Sequence, residues 1–198
     1  LLDERHRFGH RGDRQQSDGK LVPDELIIGR FQDRPGVLCQ FGQQGIAART
    51  DYLANGPHDC LVFLTASGQN GLGRRPLCAR TTDGGKTWKF VSWIGDKPKG
   101  NAIMPSTVRL SDRELLTAIR RRDDPKTWIE TCRSLDNGKS WKLETVPAPD
   151  LGTGNPPSMI RLKDGRVCLT YGHRAPPFGI RARLSQDGGR TWEKEIIL

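Results

Sequence analysis

The chain has 198 residues, of which 32 are Lys or Arg and 23 are Asp or Glu, so its formal net charge is +9. This length fits one ordinary domain with a real core, and no apolar run approaches the roughly 18 residues of a membrane span, which excludes a membrane-spanning chain. The 23 Gly, 13 Pro and five Trp indicate a folded, turn-rich protein and disfavour a helical bundle.

The first 44 residues are the least regular part of the sequence. Residues 3–20 are charged and punctuated by Gly, which predicts loop, whereas the apolar stretches at 26–28 and 37–38 are typical of strands. We therefore expect an N-terminal segment over 1–44 that is partly irregular, and whether it contributes to a first repeat stays open. Because Leu1 opens the chain and a strand-like run closes it, we also expect a fragment of a longer protein.

An eight-residue pattern, S/T-x-D-x-G-x-S/T-W, occurs three times after residue 44. Its copies occupy 81–88, 134–141 and 185–192, and their aspartates lie 53 and 51 residues apart. A motif that returns at a near-constant period indicates a repeated structural unit. The sequence thus predicts three repeats of about 52 residues, over about 45–95, 96–147 and 148–198.

Each repeat reads as four short strands, named A to D in chain order. In the middle repeat the predicted strands are 106–110, 115–120, 127–133 and 141–146, with a loop over 121–126. In the last repeat they are 158–162, 167–171, 179–184 and 192–198. Four antiparallel strands at this period predict an all-β fold, a β-propeller of four-stranded antiparallel blades, with about three to four blades present.

The eight-residue motif has the chemistry of a tight corner between strands C and D. An Asp-Gly-Gly or Asp-Asn-Gly core supplies positive φ angles, and the carboxylate can accept hydrogen bonds from its own turn. A carboxylate held by such bonds is a poor acid or base, so we predict a structural role for the motif. That role covers nine residues: Asp83, Gly85, Trp88, Asp136, Gly138, Trp141, Asp187, Gly189 and Trp192.

The motif resembles the Asp box of the BNR-repeat, sialidase-like superfamily, whose members are six-bladed propellers. The resemblance implies an active site at the end opposite the Asp boxes, with an arginine triad, a Tyr nucleophile assisted by a Glu, and an Asp acid/base. In the strand A signature of the family, Ile103 and Asn155 stand where a triad arginine belongs. The resemblance thus implies a sialidase-like glycoside hydrolase, exo-acting on glycans with an acidic sugar. The alternative is a non-catalytic propeller that binds glycan or protein through the same end.

Candidate binding residues lie in the B–C and D–A connections, which meet at the end opposite the Asp boxes. Arginine forks bind carboxylates bidentately, so a basic rim there favours a glycan or another anionic small molecule. Strand alternation predicts that one of Arg120 and Arg121 faces the propeller axis. The predicted substrate-binding residues are Arg120, Arg121, Arg174, His173, Asn101 and Asn155.

Asp123 is the local candidate for an acid/base, with Glu130 as its partner. Asp33 and Asp51 are further acidic candidates, and core packing is the prediction for Tyr171. No His or Cys spacing resembles a metal-ligand set, and the resemblance implies no organic cofactor. The +9 charge is spread without a basic helix or stacking motif, which disfavours nucleic acid. The compartment stays open, and only the resemblance favours export.

Overall fold

The computed structural model describes residues 46–67 and 73–198. The predicted N-terminal segment 1–44, the strands expected within it and the acidic candidate Asp33 lie outside the described residues. The described residues form three four-stranded sheets in which each strand pairs antiparallel with the next strand along the chain. This arrangement confirms the all-β class.

The sheets follow one another along the chain without exchanging strands. The first contains β1 (Ile46–Ala54), β2 (Cys60–Ala66), β3 (Arg75–Thr81) and β4 (Lys89–Trp93). The second contains β5 (Asn101–Arg109), β6 (Leu115–Asp123), β7 (Lys126–Ser134) and β8 (Lys142–Ala148). The third contains β9 (Ser158–Arg161), β10 (Val167–His173), β11 (Gly179–Ser185) and β12 (Ile196–Ile197).

The hairpin of β6 and β7 corrects one sequence prediction. Residues 121–126 were expected to form a loop, but the ladder continues to the pair Asp123–Lys126, and only Asp124 and Pro125 make the turn. Arg121 stands opposite Trp128 in the ladder, and a cross-strand pair of a long side chain and an aromatic ring stabilises a strand although the arginine is charged. The last strand also differs, since β12 covers only Ile196–Ile197 of the predicted 192–198.

The core lies between the sheets, which pack face to face. Alternation along β6 sends Ile119 toward the first sheet, where it packs with Phe63, and sends Ala118 toward the third, where it packs with Leu169. All four side chains are fully buried. The middle sheet is therefore apolar on both faces, as a strand buried between two layers requires.

The first strands of successive sheets are joined by side-chain acceptors. The backbone N–H of Thr107 on β5 donates to Asp51 Oδ2 on β1 at 2.5 Å. In the same way, the N–H of Met159 on β9 donates to Ser106 Oγ on β5 at 2.9 Å. Asp51 is buried and also accepts the N–H of Tyr52, so its contacts favour a structural role over the acidic role considered for it.

The outward face of the third sheet carries large apolar side chains in contact with solvent. Ile160 is 48% exposed, Ile180 58% and Ile196 42%, whereas every residue of β2 in the first sheet is buried. The described residues contain no helix long and apolar enough to cross a membrane.

Candidate functional site

The connections divide the described structure into two ends. The turns inside each sheet between its third and fourth strands carry the eight-residue motif, and we call this end the Asp-turn end. The β6–β7 hairpin and the segments 94–100 and 149–157, which cross from one sheet to the next, lie at the other end, the crossing end. Candidate catalytic and binding residues from the sequence lie at the crossing end, as the strand order requires.

The three Asp turns share one hydrogen-bond network. In the second turn, Ser134 Oγ donates to Asp136 Oδ1 at 2.8 Å, and the backbone N–H of Ser140 donates to the same oxygen at 2.9 Å. Ser140 Oγ donates to Asp136 Oδ2 at 2.6 Å, and the N–H of Gly138 donates to Ser134 Oγ at 2.8 Å. The turns at Asp83 and Asp187 repeat each of these contacts.

These bonds hold the three carboxylates in the charged form. For Asp136, burial raises the pKa, but hydrogen bonds from Ser140 and Ser134 outweigh it and lower the pKa to about 2. Hydrogen bonds from Thr87 lower the pKa of Asp83, and those from Thr191 lower the pKa of Asp187. These carboxylates are poor proton donors near neutral pH, which supports the structural role expected for them.

The tryptophan of each later turn is bound to the preceding sheet. Trp141 Nε1 donates to Ser92 Oγ on β4 at 3.1 Å, and Ser92 Oγ donates to the Gly138 carbonyl at 2.6 Å. Trp192 Nε1 likewise donates to Thr145 Oγ1 on β8 at 3.1 Å. Ser92 and Thr145 each follow a motif tryptophan by four residues, a signal that the sequence analysis did not use.

At the crossing end, Arg121, Trp128 and Glu130 form one cluster on the face of the second sheet that meets the first. Arg121 Nε lies 3.4 Å from Glu130 Oε2, and the Trp128 indole N–H donates to the same oxygen at 3.3 Å. The Arg121 guanidinium carbon lies 5.9 Å from the centroid of the Trp128 ring. Glu130 is buried, so these two contacts compensate the removal of its charge from water.

Arg120 lies on the opposite face of β6 and contacts the segment that leads to the third sheet. Its Nη2 donates to the Thr153 carbonyl in the second crossing segment at 2.8 Å. The ladder places Arg120 and Arg121 on opposite faces of β6, as strand alternation requires, and the orientation of one of them toward the axis stays a prediction.

Asp123 and Glu130 do not form a close carboxylate pair on the hairpin. Asp123 is exposed opposite Lys126, whereas Glu130 stands opposite Ile119, four ladder positions deeper, which is about 13 Å along a strand. The contacts of Glu130 with Arg121 and Trp128 favour a positioning role for it. The acid/base role of Asp123 stays a prediction.

The other predicted binding residues lie on β5, in the second crossing segment, at the end of β10 and in the connection that follows β10. Asn101 accepts the N–H of Arg74 at 3.2 Å, and the N–H of Asn155 donates to the Gly172 carbonyl at 3.2 Å. His173 is buried, with Nδ1 2.9 Å from the Ala175 carbonyl oxygen, whereas Arg174 is exposed. Asn155, His173 and Arg174 thus lie beside the third sheet, and Asn101 and Arg121 lie beside the first.

Tyr171 forms a second cluster that the sequence analysis did not foresee. Its hydroxyl donates to Glu195 Oε2 at 2.5 Å, and Arg181 Nη1 lies 2.6 Å from Glu195 Oε1. Burial, with the hydrogen bond to Glu195 as a further cause, raises the pKa of Tyr171 to about 12. A buried tyrosine with a raised pKa is a poor nucleophile at neutral pH, so packing describes it better.

Trp128 is the residue of this region that sequence reasoning missed. A signal for it existed, because closing the hairpin at Asp124 and Pro125 places Trp128 directly opposite Arg121. That register depends on the turn being two residues long, and the expected six-residue loop removed the pairing.

A family model described as BNR repeat-like domain matches residues 56–198. This match covers more than half of the chain, so the chain belongs to the BNR repeat-like family. It confirms the BNR-repeat resemblance stated from the motif. No curated protein matches the chain.

Solved structures share the fold of the described residues. A protein of unknown function from Dyadobacter fermentans is 27% identical with a TM-score of 0.58, over 71% of this chain and 38% of that one. The α-L-arabinofuranosidase of Fusarium graminearum is 18% identical with a TM-score of 0.61, over 77% of this chain and 48% of that one. An α-L-arabinanase of Penicillium chrysogenum is 16% identical with a TM-score of 0.62, over 78% and 51%.

These matches place the three sheets among β-propeller folds. The chain spans about half the length of the two glycosidases, and 38% of the Dyadobacter protein. Below 25% identity, the likeness to the two glycosidases concerns the fold alone.

Proposed function

We propose that the chain is part of a glycan-active propeller whose working surface is the crossing end. The observation that carries the proposal is the Arg121–Trp128–Glu130 cluster, an aromatic ring and a cation held by a buried carboxylate at the end opposite the Asp turns. Membership of the BNR repeat-like family supports it, as does the fold shared with an arabinofuranosidase and an arabinanase. Fold likeness alone would not distinguish activity from binding.

The finer form of the proposal is a sialidase-like glycoside hydrolase, exo-acting on glycans with an acidic sugar. Basic residues at the crossing end support an anionic substrate, and the three turns have the contacts expected of Asp boxes. Asp123 is the proposed acid/base, because it is exposed beside the hairpin turn, whereas the exposed Asp124 of that turn is paired with Arg122. Glu130 then positions Arg121 and Trp128.

A non-catalytic propeller that binds glycan is the second candidate. The observation in its favour is that Glu130 is buried and already bound by Arg121 and Trp128, so Asp123 and Glu130 do not form a close pair of accessible carboxylates. Ordinary glycosidases place two carboxyl groups roughly 5–10 Å apart around the scissile bond.

Release of a fluorogenic leaving group from sialosides and arabinofuranosides, with the 198-residue chain as enzyme, tests these candidates. If the chain hydrolyses either substrate, Asp123→Asn is expected to lower kcat/KM about a hundredfold, since it removes a positioned proton donor. Asp112→Asn, at the Asp-turn end, is the control and is expected to leave kcat/KM unchanged. Glycan binding without turnover on any substrate would reject the hydrolase and retain the binding propeller.

A further inference from the structure

A cleft opens at the crossing end between the segment 95–100 and the end of the β6–β7 hairpin. It encloses about 300 Å³. This volume lies at the small end of the range of ligand pockets, which suits one unit of an oligomer better than a long chain. The side chains that line it and matter for its chemistry are Lys97, Lys99, Arg121, Arg122, Asp123 and Trp128.

The wall of the cleft is rigidly seated because the crossing segment lies flush against the second sheet. A Cβ at Gly100 would stand 2.1 Å from the Arg122 carbonyl oxygen, so only glycine permits this approach. At the other end of the segment, Gly95 has φ +65° and a Cβ there would meet Cys132 Sγ at 3.2 Å. The segment is therefore held at both ends, so this wall of the cleft does not have to be ordered when a ligand binds.

The floor of the cleft is also preorganised. Trp128 is partly buried, its indole N–H is fixed by Glu130, and Arg121 lies over part of its ring. The buried Glu130 accepts a hydrogen bond from the Trp128 indole and pairs with the Arg121 guanidinium, so the orientation of both side chains depends on this one carboxylate. An aromatic face of this kind supplies apolar contact area at a small cost in conformational entropy.

The rim of the cleft carries an excess of positive charge. Arg121 is paired with Glu130, and Arg122 Nε lies 2.8 Å from Asp124 Oδ1. Lys97 and Lys99 are exposed, and neither ammonium forms an ion pair with a carboxylate of the described residues. These two lysines are therefore the cations that an incoming anion can engage without first breaking a salt bridge.

We propose that this cleft binds one carboxylated or sulfated sugar unit of an acidic glycan. Lys97 and Lys99 bind the anionic group, and Trp128 supports the apolar side of the ring, beside the proposed acid/base Asp123 at the rim. The inference rests on the proposed glycan-active function and specifies where that function recognises charge. The site that binds the anionic group is therefore distinct from Arg120, His173 and Arg174, which lie beside the third sheet.

Single-stranded nucleic acid shares the need for cations and an aromatic surface. Proteins that bind it align several aromatic rings along a basic groove that follows the backbone. The cleft has one such ring, Trp128, and encloses only about 300 Å³. These features favour a single sugar unit, and nucleic acid is retained as an outcome of the test.

Isothermal titration calorimetry on the 198-residue chain tests the cleft with four probes: tetragalacturonate, a heparin-derived tetrasaccharide, the neutral arabinotetraose and an eight-residue dT oligonucleotide. We expect at least one of the two acidic tetrasaccharides to bind more tightly than the neutral one. Lys97→Gln/Lys99→Gln is expected to weaken that binding about tenfold, since two charge-assisted contacts are lost. Both lysines are exposed, so the double variant is expected to fold normally.

The matched control is Lys86→Gln/Lys139→Gln, which removes the same charge from exposed lysines of two Asp turns. Equal weakening in the control would show diffuse attraction and overturn the cleft, as would dT binding that exceeds oligosaccharide binding. Oligosaccharide binding that does not depend on Lys97 and Lys99 would overturn the cleft and leave the proposed function standing. No binding and no hydrolysis of any glycan would instead reject the proposed function.

Discussion

The aspartate of each Asp turn is needed as a carboxylate because it accepts from two hydroxyls and from backbone N–H groups at once. Asp136 binds Ser134, the N–H of Ser140 and the hydroxyl of Ser140, and Asp83 and Asp187 repeat this set. The turn itself requires left-handed backbone, with φ of 59° at Asn137 and 88° at Gly138. Within the eight-residue motif, the side-chain hydrogen bonds and the backbone conformation therefore favour the same turn.

Asp136→Ala is expected to lower the free energy of unfolding by about 1–2 kcal/mol at pH 7, because Ser134, Ser140 and the Ser140 N–H lose their acceptor. Urea unfolding followed by tryptophan fluorescence measures the change. Asp112→Ala, an exposed aspartate of the β5–β6 turn, is the control and should change the free energy by less than about 0.5 kcal/mol.

The contribution of Asp136 should also depend on pH in a defined direction. Folding lowers its pKa from an ordinary 3.8 to about 2, so its stabilisation is complete above about pH 4 and declines as the pH falls toward 2. The difference between the parent chain and Asp136→Ala should therefore shrink over that interval. A difference that stayed constant from pH 5 to pH 2 would contradict the assignment.

At the scale of elements, adjacent sheets are joined by a hydroxyl in the fourth strand of one and a tryptophan in the turn of the next. Ser92 on β4 bridges the Gly138 carbonyl and the Trp141 indole N–H, and Thr145 on β8 accepts from Trp192. The equivalent position after Trp192 is Ile196, which is 42% exposed. The bridge between hydroxyl and tryptophan therefore joins each described sheet to the next. On the outward face of the third sheet, the equivalent position carries no hydroxyl.

A double-mutant cycle tests this bridge. Ser92→Ala and Trp141→Phe each remove a hydrogen bond, so each is expected to lower the free energy of unfolding by about 1 kcal/mol or more. Because the two residues share one interaction, the double variant should lose at least about 0.5 kcal/mol less than the sum of the two single losses. Ser92→Ala combined with Trp192→Phe, from the other bridge, should be additive within about 0.5 kcal/mol. Additive behaviour of the first pair in urea unfolding would show that the two residues act independently.

For the whole molecule, charged contacts at the Asp-turn end reinforce the packing of the second sheet against the third. Arg133 on β7 donates to Glu114, lies 3.0 Å from Glu144 and donates to the Gly188 carbonyl at 2.7 Å. Its side chain is only 6% exposed. One arginine thus links a turn and two strands of its own sheet to the Asp turn of the next.

Arg133→Met is expected to lower the free energy of unfolding by about 2–3 kcal/mol, because it removes the cation that pairs with Glu144 and leaves Glu114 with only the exposed Arg190, 3.6 Å away. The loss should fall short of that for a fully buried pair, since both carboxylates are about a fifth exposed. Arg166→Met, which removes an exposed partner of Asp164, is the comparison and should cost clearly less than Arg133→Met in the same urea experiment. Equal costs for the two variants would show that Arg133 does not link the sheets.

Much of the fold was predictable because its signals are local. The period of about 52 residues, the turn residues and the alternating apolar positions each depend on neighbours in sequence, and they predicted the all-β class and most of the strands. The β6–β7 hairpin was less accessible, because charged residues such as Arg121 and Arg122 do not resemble a strand until their partners Trp128 and Thr127 are known. The candidate site depended on that hairpin, so Asp123 and Arg121 were found while Trp128 was missed.

The sequence by itself determined that the positively charged, turn-rich chain is built from repeated four-stranded units with a structural Asp turn in each, because short-range hydrogen bonds and φ angles depend only on local residues. The tertiary structure decided how the charge is used. Glu130 pairs with Arg121, Arg120 bonds to the crossing segment on the opposite face, and the segment with Lys97 and Lys99 lies beside Trp128. These relations join residues of different strands and sheets, and such distances arise only when the sheets pack against each other.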